Sequence, residues 1–485
     1  MNEAIEAGKS GMTGRDNERV ETSRRPGVGR DMTEGSIPRH LITFATPMLL
    51  GNLLQALYNT VDTIWVGRFL GANSLAAVSV SFPVIFVLVS MVMGISMATT
   101  VLVAQNAGAR RMDMVRRVIG NSISLLVLGG VGVSALGLAF HRQVLQIINV
   151  PAEIIPEASQ YLSIFLGGLM FMFAYNTLSG ILRGLGDSRS PLIFLVYATV
   201  MNIILDPMMI FGIWPFPPMG VAGAAIATVV SQAFSGVLAV RYLLRKTDLL
   251  STKPSDYRIE KGLTLTIIKI GLPVGIQQTV MSLGALVVSS VINSFGGAVV
   301  AGFGAGSRID HFSVMPAMSI GMAVSSVVGQ NLGAQKHERV HETLKWAIIL
   351  SVSIATLFTV TILAIPRILI SPFTTDAHVL LVGSSYLKIM SLSYIPFAVM
   401  FATNGVMRGA GDTLPTMIIS ISTLWLIRVP LARYLASLPG LAENGIWWAM
   451  VISTLIGMVL SVAYYRTGLW KKRRLVQPVA ADDAV

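Results

Sequence analysis

The segment that decides the fold occurs twice, as Val103-Ala104-Gln105-Asn106-Ala107-Gly108-Ala109 and, later in the chain, as Val328-Gly329-Gln330-Asn331-Leu332-Gly333-Ala334. A second pair has the same offset of 225, namely Leu182-Arg183-Gly184-Leu185-Gly186-Asp187 and Met407-Arg408-Gly409-Ala410-Gly411-Asp412. Gly71 and Gly220 also fall on Gly296 and Gly445. A single offset that relates several pairs of segments far apart along the chain indicates an internal duplication. Residues related by this offset are called repeat mates below.

The composition places this duplication in a membrane. Of the 485 residues 53% are hydrophobic and only 12% are charged, and the mean hydropathy is +0.69. A soluble domain cannot cover that much apolar surface. The net charge of +12 does not point to nucleic acid, because the basic residues lie in short loops on one side of the predicted spans. Cysteine is absent, which excludes disulfides and thiolate metal sites.

The apolar stretches predict an all-α polytopic protein with twelve transmembrane helices. These lie near 39–67, 75–105, 117–141, 158–182, 190–213, 220–244, 264–293, 298–329, 343–366, 380–407, 413–438 and 443–466. Lysine and arginine concentrate after the even-numbered spans, for example at Arg110, Arg111, Arg116 and Arg117. The positive-inside rule then places both termini in the cytoplasm and the chain in a prokaryotic plasma (inner) membrane.

Six spans in each half is an even number, so both halves enter the bilayer from the same side and the repeat is parallel. The predicted parts are a disordered cytoplasmic tail (1–38), an N-lobe (39–246), a cytoplasmic linker (247–262), a C-lobe (263–467) and a cytoplasmic tail (468–485). Duplicated lobes in a polytopic protein are the usual construction of a secondary transporter, whose substrate path lies between them.

Residues common to both halves are expected to serve folding and packing. In the Arg-Gly-x-Gly-Asp turns, the glycines allow a tight turn. In the Gln-Asn-x-Gly-Ala segments, small residues permit close helix packing and amides supply interhelical hydrogen bonds.

Two carboxylates at membrane depth occur only in the first half. At the repeat offset, Asp62 falls on Val287 and Asp206 falls on Leu431. A carboxylate at the centre of a bilayer costs about 2.5–3.5 kcal/mol on insertion scales, so its presence indicates a use. Asn202 lies one helical turn before Asp206, and Pro207 can bend that helix.

Other polar residues extend this cluster in the prediction. Gln55, Asn59 and Asp62 share one face of the first span, and Asn176 and Thr228 are expected to approach from spans four and six. Carboxylates and amides in a dry cavity can hold a proton, or a sodium ion at Asp62, Asn202, Asp206 and Thr228. The alternative is that both carboxylates are hydrogen-bonded packing residues.

The second half has charges of its own. Arg308 and Asp310 lie within span eight, and Arg428 lies within span eleven. Asp310 can pair with Arg428 or line the cavity, and either arginine can attract an anionic group, so structural and functional interpretations both stay open. Tyr58, Met172 and Tyr175 are further candidates for lining a substrate cavity, together with Gln55.

Several classes of chemistry have no matching motif. The sequence has no Walker motif for ATP, no Gly-x-Ser-x-Gly or His-Glu-x-x-His, and no ligand spacing among its six histidines. We therefore expect no enzymatic activity and no cofactor other than a coupling ion.

The sequence resembles the MATE (multidrug and toxic compound extrusion) family over about residues 40–466. The resemblance lies in Gln55 to Thr63, in Asn202 to Pro207, in Gly220 to Ala225 and in both duplicated motifs. It implies two six-helix lobes around a V-shaped central cavity, and export by antiport against protons or sodium. Asp62, Asn202 and Asp206 match the site of the DinF-like and archaeal branch. The carboxylates that another branch uses in spans seven and ten have no counterpart here.

The function expected from these features is a cation-coupled exporter of amphipathic, mostly cationic compounds, which acts as a monomer in the lipid bilayer by alternating access. The first rival is a flippase for lipid-linked precursors, in which Arg308 and Arg428 bind the pyrophosphate. A channel or a receptor is a third interpretation, and it leaves the buried carboxylates unexplained.

Overall fold

The computed structural model describes residues 29–246, 254–473 and 475, and these form a bundle of helices. The helices are α1 (Ile37–Phe69), α2 (Ala72–Gly108), α3 (Met112–Ile147), α4 (Ile155–Gly184), α5 (Arg189–Phe211), α6 (Val221–Lys246), α7 (Lys261–Asn293), α8 (Gly297–Gly333), α9 (His337–Ala364), α10 (Pro366–Ile370), α11 (Ala377–Ser391), α12 (Tyr394–Gly409), α13 (Thr413–Ile421), α14 (Val429–Ala436) and α15 (Glu443–Thr467). A π-helical segment, Ser422–Arg428, joins α13 to α14.

These elements confirm the predicted all-α fold with twelve spans. Within the described ranges, eleven helical stretches are long and apolar enough to cross a membrane. The remaining span consists of α11 and α12, which bend by 46° at their break. In the N-lobe, α4 packs against α2, α3 and α6, while α5 lies between α1 and α6. In the C-lobe, α8 packs against α9, α11 and α12.

The duplication is visible in the backbone. The first and last residues of α8 are the repeat mates of those of α2, and α9 begins at the repeat mate of the first residue of α3. Some positions with positive φ recur at the same offset, with 58° at both Arg110 and Gln335 and with 92° and 93° at Gly71 and Gly296. The turns that precede and follow α2 therefore repeat around α8.

The two lobes meet along α2 and α7, along α1 and α8, and where the ends of α2 and α8 cross. Gln105 Nε2 donates a hydrogen bond of 2.9 Å to the carbonyl of Gly409, and Gln330 Nε2 donates one of 3.1 Å to the carbonyl of Gly184. The two bonds are related by the repeat, and each runs from one lobe to the other. We call this contact the helix crossing; it comprises Gln105, Gly108, Gln330 and Gly333.

Glycine is required at the helix crossing. A Cβ atom on Gly108 would lie 1.9 Å from the carbonyl oxygen of Gln330, and one on Gly333 would lie 1.8 Å from that of Gln105. The geometry thus agrees with the predicted pairing of small residues with interhelical amide bonds. It also places that pairing between the lobes.

The structure corrects part of the predicted N-terminal tail. Residues 1–28 lie outside the described residues, but residues 29–36, here called the N-terminal segment, pack against the C-lobe. Met32 is 1% exposed, its N–H donates to Gln330 Oε1 at 2.9 Å, and its carbonyl accepts from Asn331 Nδ2 at 3.1 Å. The burial of Met32 offsets the ordering of this polar stretch, which composition alone did not indicate.

The linker and the C-terminal tail are described in part. Of the linker predicted at 247–262, residues 247–253 lie outside the described residues, Pro254–Tyr257 forms a short 3₁₀ turn, and α7 begins at Lys261. Of the predicted tail from 468, Leu469–Lys472 is another 3₁₀ turn in which Trp470 is buried.

Candidate ion and substrate site

The predicted carboxylates lie on α1 and α5, which pack against each other. On α5, Asn202 and Asp206 are both 0% exposed, and Asn202 Nδ2 donates a hydrogen bond of 3.0 Å to Asp206 Oδ1. This bond joins residues one helical turn apart, as their spacing requires. On α1, Asp62 is partly buried and faces the same neighbourhood, since the charges of Asp62 and Asp206 act on each other.

The most informative property of this cluster is a set of oxygens without donors. Asp62 Oδ1, Asp206 Oδ2 and Asn202 Oδ1 are buried, and no donor among the described residues reaches any of them. Leaving a buried acceptor without a donor costs about 1–3 kcal/mol. Carboxylate and amide oxygens are groups that can accept a proton or ligate a cation, so this cluster is the candidate ion site.

Two tyrosines border the cluster. Tyr58 is 7% exposed and Tyr161 is 6% exposed, and the charges of Asp62 and Asp206 reach both phenols. The Thr228 hydroxyl lies close to the Tyr58 hydroxyl without a well-formed hydrogen bond between them. Tyr58 and Thr228 were predicted from the sequence, whereas Tyr161 was not. The repeat offers a signal for it, since its repeat mate, Tyr386, is also a tyrosine.

Two further predicted ligands have hydrogen-bond partners on their own helices. Asn59 is exposed, and its side chain accepts a hydrogen bond of 3.3 Å from Gln55 Nε2 one turn earlier. The Asn176 amide donates to the carbonyl of Met172 at 2.9 Å on its own helix. Each amide therefore has a local partner, whereas Asp62, Asn202 and Asp206 each keep a buried oxygen without a donor among the described residues.

The predicted substrate-lining residues of the N-lobe separate into two groups. Gln55 and Tyr58 lie on α1 within two turns of Asp62. Met172 packs in the interior of the lobe, partly buried against its apolar core. Tyr175 donates a hydrogen bond of 3.2 Å to the carbonyl of Pro191, near the start of α5. Met172 and Tyr175 thus contribute to helix packing in the N-lobe, whereas Gln55 and Tyr58 share the helix of Asp62.

The C-lobe has a second polar centre. Arg428, the last residue of the π-helical segment, donates to Ser453 Oγ at 2.8 Å and to Thr454 Oγ1 at 3.2 Å. Asp310 Oδ1 is buried without a donor among the described residues. Tyr386 lies beside this aspartate, and the charges of Asp310 and Arg428 both reach its phenol.

Arg308 lies apart from this centre. Its guanidinium is exposed, and it lies 5.9 Å from the centroid of the Phe373 ring, which precedes α11. Arg308 and Arg428 therefore contact different parts of the C-lobe.

Comparison with known proteins agrees with this architecture. The MatE family model matches residues 47–208 and 273–433, one match in each lobe. The chain is 32% identical to the "Probable multidrug resistance protein YpnP" of Bacillus subtilis (strain 168), over 92% of this chain and 98% of that one. It is 31% identical to the "Probable multidrug resistance protein NorM" of Thermotoga maritima, over 91% of this chain and 94% of that one.

A solved structure described as the "Outward-facing conformation of a multidrug resistance MATE family transporter of the MOP superfamily" superposes with a TM-score of 0.85. It is 25% identical and covers 93% of this chain and 100% of that one. The family model matches both lobes, and the relatives and the superposed structure each cover nearly the whole chain. The chain belongs to the MATE family and is a multi-pass membrane transporter.

Proposed function

We propose that this transporter exports amphipathic, mostly cationic compounds in exchange for protons or sodium ions, by alternating access. The observation that carries the proposal is the group of buried oxygens without donors on Asp62, Asn202 and Asp206. Multidrug resistance proteins among the relatives support the substrate class.

The site suits a coupling ion because its stability depends on whether an ion is present. When the site is empty, two carboxylates face each other with buried oxygens that lack donors, and their charges repel. A proton on Asp206 or Asp62, or a sodium ion held by both with Asn202 and Thr228, removes this penalty. Ion binding therefore favours the conformation that buries the cluster, and ion release favours one that hydrates it.

The helix crossing supplies the second element of alternating access, which is closure at one end. The hydrogen bonds from Gln105 and Gln330 join the lobes where α2 and α8 end. The positive-inside rule assigns that end to the cytoplasm. This conformation then has its cytoplasmic end closed, and transport requires a second state in which these bonds are broken.

The branch of the family is part of the proposal. The carboxylates on α1 and α5 favour the DinF-like and archaeal scheme, with the coupling site in the N-lobe. A single chain contains both lobes and the whole cluster, so a monomer suffices for the proposed cycle.

Reconstitution in liposomes tests the proposal. Ethidium movement is followed first under a pH gradient without sodium and then under a sodium gradient at equal pH. Movement with the pH gradient alone identifies protons as the coupling ion, and movement only with sodium identifies sodium. Movement with neither gradient contradicts the proposed antiport and favours the lipid-linked precursor flippase.

Variants localise the coupling. Asp62→Asn and Asp206→Asn remove one ionisable group each, while Asp113→Asn removes an exposed carboxylate at the start of α3 as the matched control. We expect the first two to lose gradient-driven movement at normal expression and the control to keep it. Wild-type movement in either cluster variant would show that coupling does not use this site.

A further inference from the structure

A pocket separate from the carboxylate cluster lies where the N-terminal segment meets the N-lobe. Its volume is about 430 Å³, and it opens between this segment, the first turns of α1 and the turn before α5. Its polar lining consists mainly of Arg30, Arg39, His40, Asp187, Ser188 and Arg189. By the positive-inside rule this is the cytoplasmic surface of the membrane.

The charge of the pocket suits an anion. It is lined by three guanidinium groups, and the Arg39 and Arg189 side chains are exposed. The only carboxylate in this lining, that of Asp187, is engaged within the protein, because it accepts from the backbone N–H groups of Arg189 and Ser190 at 3.0 Å each. Arginine guanidinium groups match the oxygens of a phosphate in geometry and charge.

His40 supplies a second recognition element. This residue is only 6% exposed, and its Nε2 atom lies in hydrogen-bond contact with the carbonyl of Glu34. A carbonyl accepts, so Nε2 carries the proton, and the Nδ1 atom of the neutral ring is an acceptor. Nδ1 is buried without a partner among the described residues. Because Nδ1 is covered in this structure, a hydroxyl group beside a ligand's phosphate would reach it only after the pocket lining shifts on binding.

Apolar side chains continue from the pocket along the membrane face. Ile42, one turn after Arg39 on α1, is 52% exposed. Ile193, one turn after Arg189 on α5, is 49% exposed, and Val196 follows at 40%. Residues three or four apart share a face of a helix, so Arg189 stands at the head of an apolar stripe on α5, whereas Ile42 lines a separate groove between α1, α8 and α9. A free phosphate would not use the stripe on α5, whereas the acyl chains of a lipid would.

We propose that this pocket binds the headgroup of an anionic phospholipid that carries a hydroxyl group, such as phosphatidylglycerol. The phosphodiester lies against Arg39 and Arg189, the headgroup hydroxyl donates to His40 Nδ1 once the lining has shifted, and the acyl chains follow Ile193 and Val196. The bound lipid adds contacts to the N-terminal segment through Arg30. Membrane composition then affects how firmly that segment is held against both lobes.

Native mass spectrometry of the full chain in detergent tests this site with phosphatidylglycerol and phosphatidylcholine as probes. Wild type should retain one phosphatidylglycerol in preference to phosphatidylcholine. Each basic residue near a membrane surface contributes about 1 kcal/mol, so Arg39→Gln with Arg189→Gln should weaken retention about 30-fold. The control, Arg116→Gln with Arg241→Gln, removes two exposed arginines outside the pocket and should leave retention unchanged.

A single substitution separates the hydroxyl contact from charge. His40→Phe should weaken retention of phosphatidylglycerol but leave that of phosphatidylethanol, an anionic diester without a headgroup hydroxyl, unchanged. Equal retention by the double variant and wild type would overturn the proposal, as would an equal loss in the control. Displacement by inorganic phosphate as effective as that by lipid would also overturn it, because it would identify a site for free phosphate.

Discussion

Replacing Gly333 by alanine tests whether the helix crossing holds the lobes together. The new Cβ would lie 1.8 Å from the carbonyl oxygen of Gln105, whereas real Cβ atoms essentially never come closer than 3.0 Å to such an atom. The obstacle is backbone, which cannot swing aside as the end of a side chain can. The crossing must therefore widen until the distance from the new Cβ to the Gln105 oxygen grows from 1.8 Å to 3.0 Å. This movement is on the scale of a bond length.

The cost of this widening follows from the contacts that it breaks. The bonds from Gln105 to Gly409 and from Gln330 to Gly184 each contribute about 0.5–1.5 kcal/mol. Forcing extra volume into a packed contact adds about 1–3 kcal/mol. Together they destabilise the closed crossing by about 2–6 kcal/mol. Conformations of one protein commonly differ by only a few kcal/mol, so the population should move to the state in which the lobes are separated at this end.

Electron paramagnetic resonance distance measurements can detect this shift. The chain contains no cysteine, so labels placed at Met112→Cys and His337→Cys report without further changes. These residues are exposed repeat mates that begin α3 and α9, one in each lobe. Gly333→Ala should add a population with a longer distance. Gly304→Ala, in the same helix but with no atom within 4 Å of the new Cβ, should keep the wild-type distribution.

An unchanged distance in Gly333→Ala, with normal folding and transport, would refute the argument that this crossing keeps the lobes closed. A shift of equal size in Gly304→Ala would refute it as well, because the effect would then belong to any alanine in α8.

Three further outcomes are expected. Asp206→Asn should abolish gradient-driven ethidium movement. It should not lower the melting temperature, because it removes a buried charge. A melting temperature well below that of Asp113→Asn would instead identify a packing role for Asp206. Tyr161→Phe should retain movement but weaken it several-fold, because its hydroxyl is one of two phenols beside the carboxylates; activity equal to wild type would exclude a contribution from that hydroxyl. Gln330→Ala should lengthen the distance between labels and lower the unfolding free energy by about 1–3 kcal/mol, because two hydrogen bonds are lost. An unchanged melting curve would contradict this.

The sequence predicts the fold well because the constraints that fix it are local and repeated. Bilayer thickness sets the length of each span, and the constant repeat offset sets the correspondence of the lobes. The parts of the fold that the sequence does not reveal depend on contacts between distant residues. Met32 is buried because it packs into an apolar cluster with Val324 and Val327 of α8, and nothing in the polar stretch around it indicates this.

The candidate site could be predicted only in part, for a related reason. Asp62, Asn202 and Asp206 stand out since ionisable and amide groups at membrane depth are costly. Helical spacing shows which residues share a face but not which neighbour that face meets. Asn176 was consequently predicted as a ligand although its amide bonds its own helix. Tyr161 was missed because an aromatic residue in a membrane helix usually packs.

The two lobes share a fold but differ in the charged side chains of their polar centres. Tyr161 and its repeat mate Tyr386 each border such a centre. The N-lobe centre holds two acids and no basic side chain among the described residues whose charge reaches them. In the C-lobe, the charge of Arg428 reaches Asp310 and offsets it.

An acid within reach of an arginine gains less from an added cation than two acids with no such arginine. We therefore infer that an ion-driven change starts in the N-lobe. The helix crossing can pass it on, because each of its glutamines belongs to one lobe and donates to a carbonyl of the other. Separating the two lobes at the helix crossing breaks both bonds together. This contact therefore couples ion binding in the N-lobe to the position of the C-lobe.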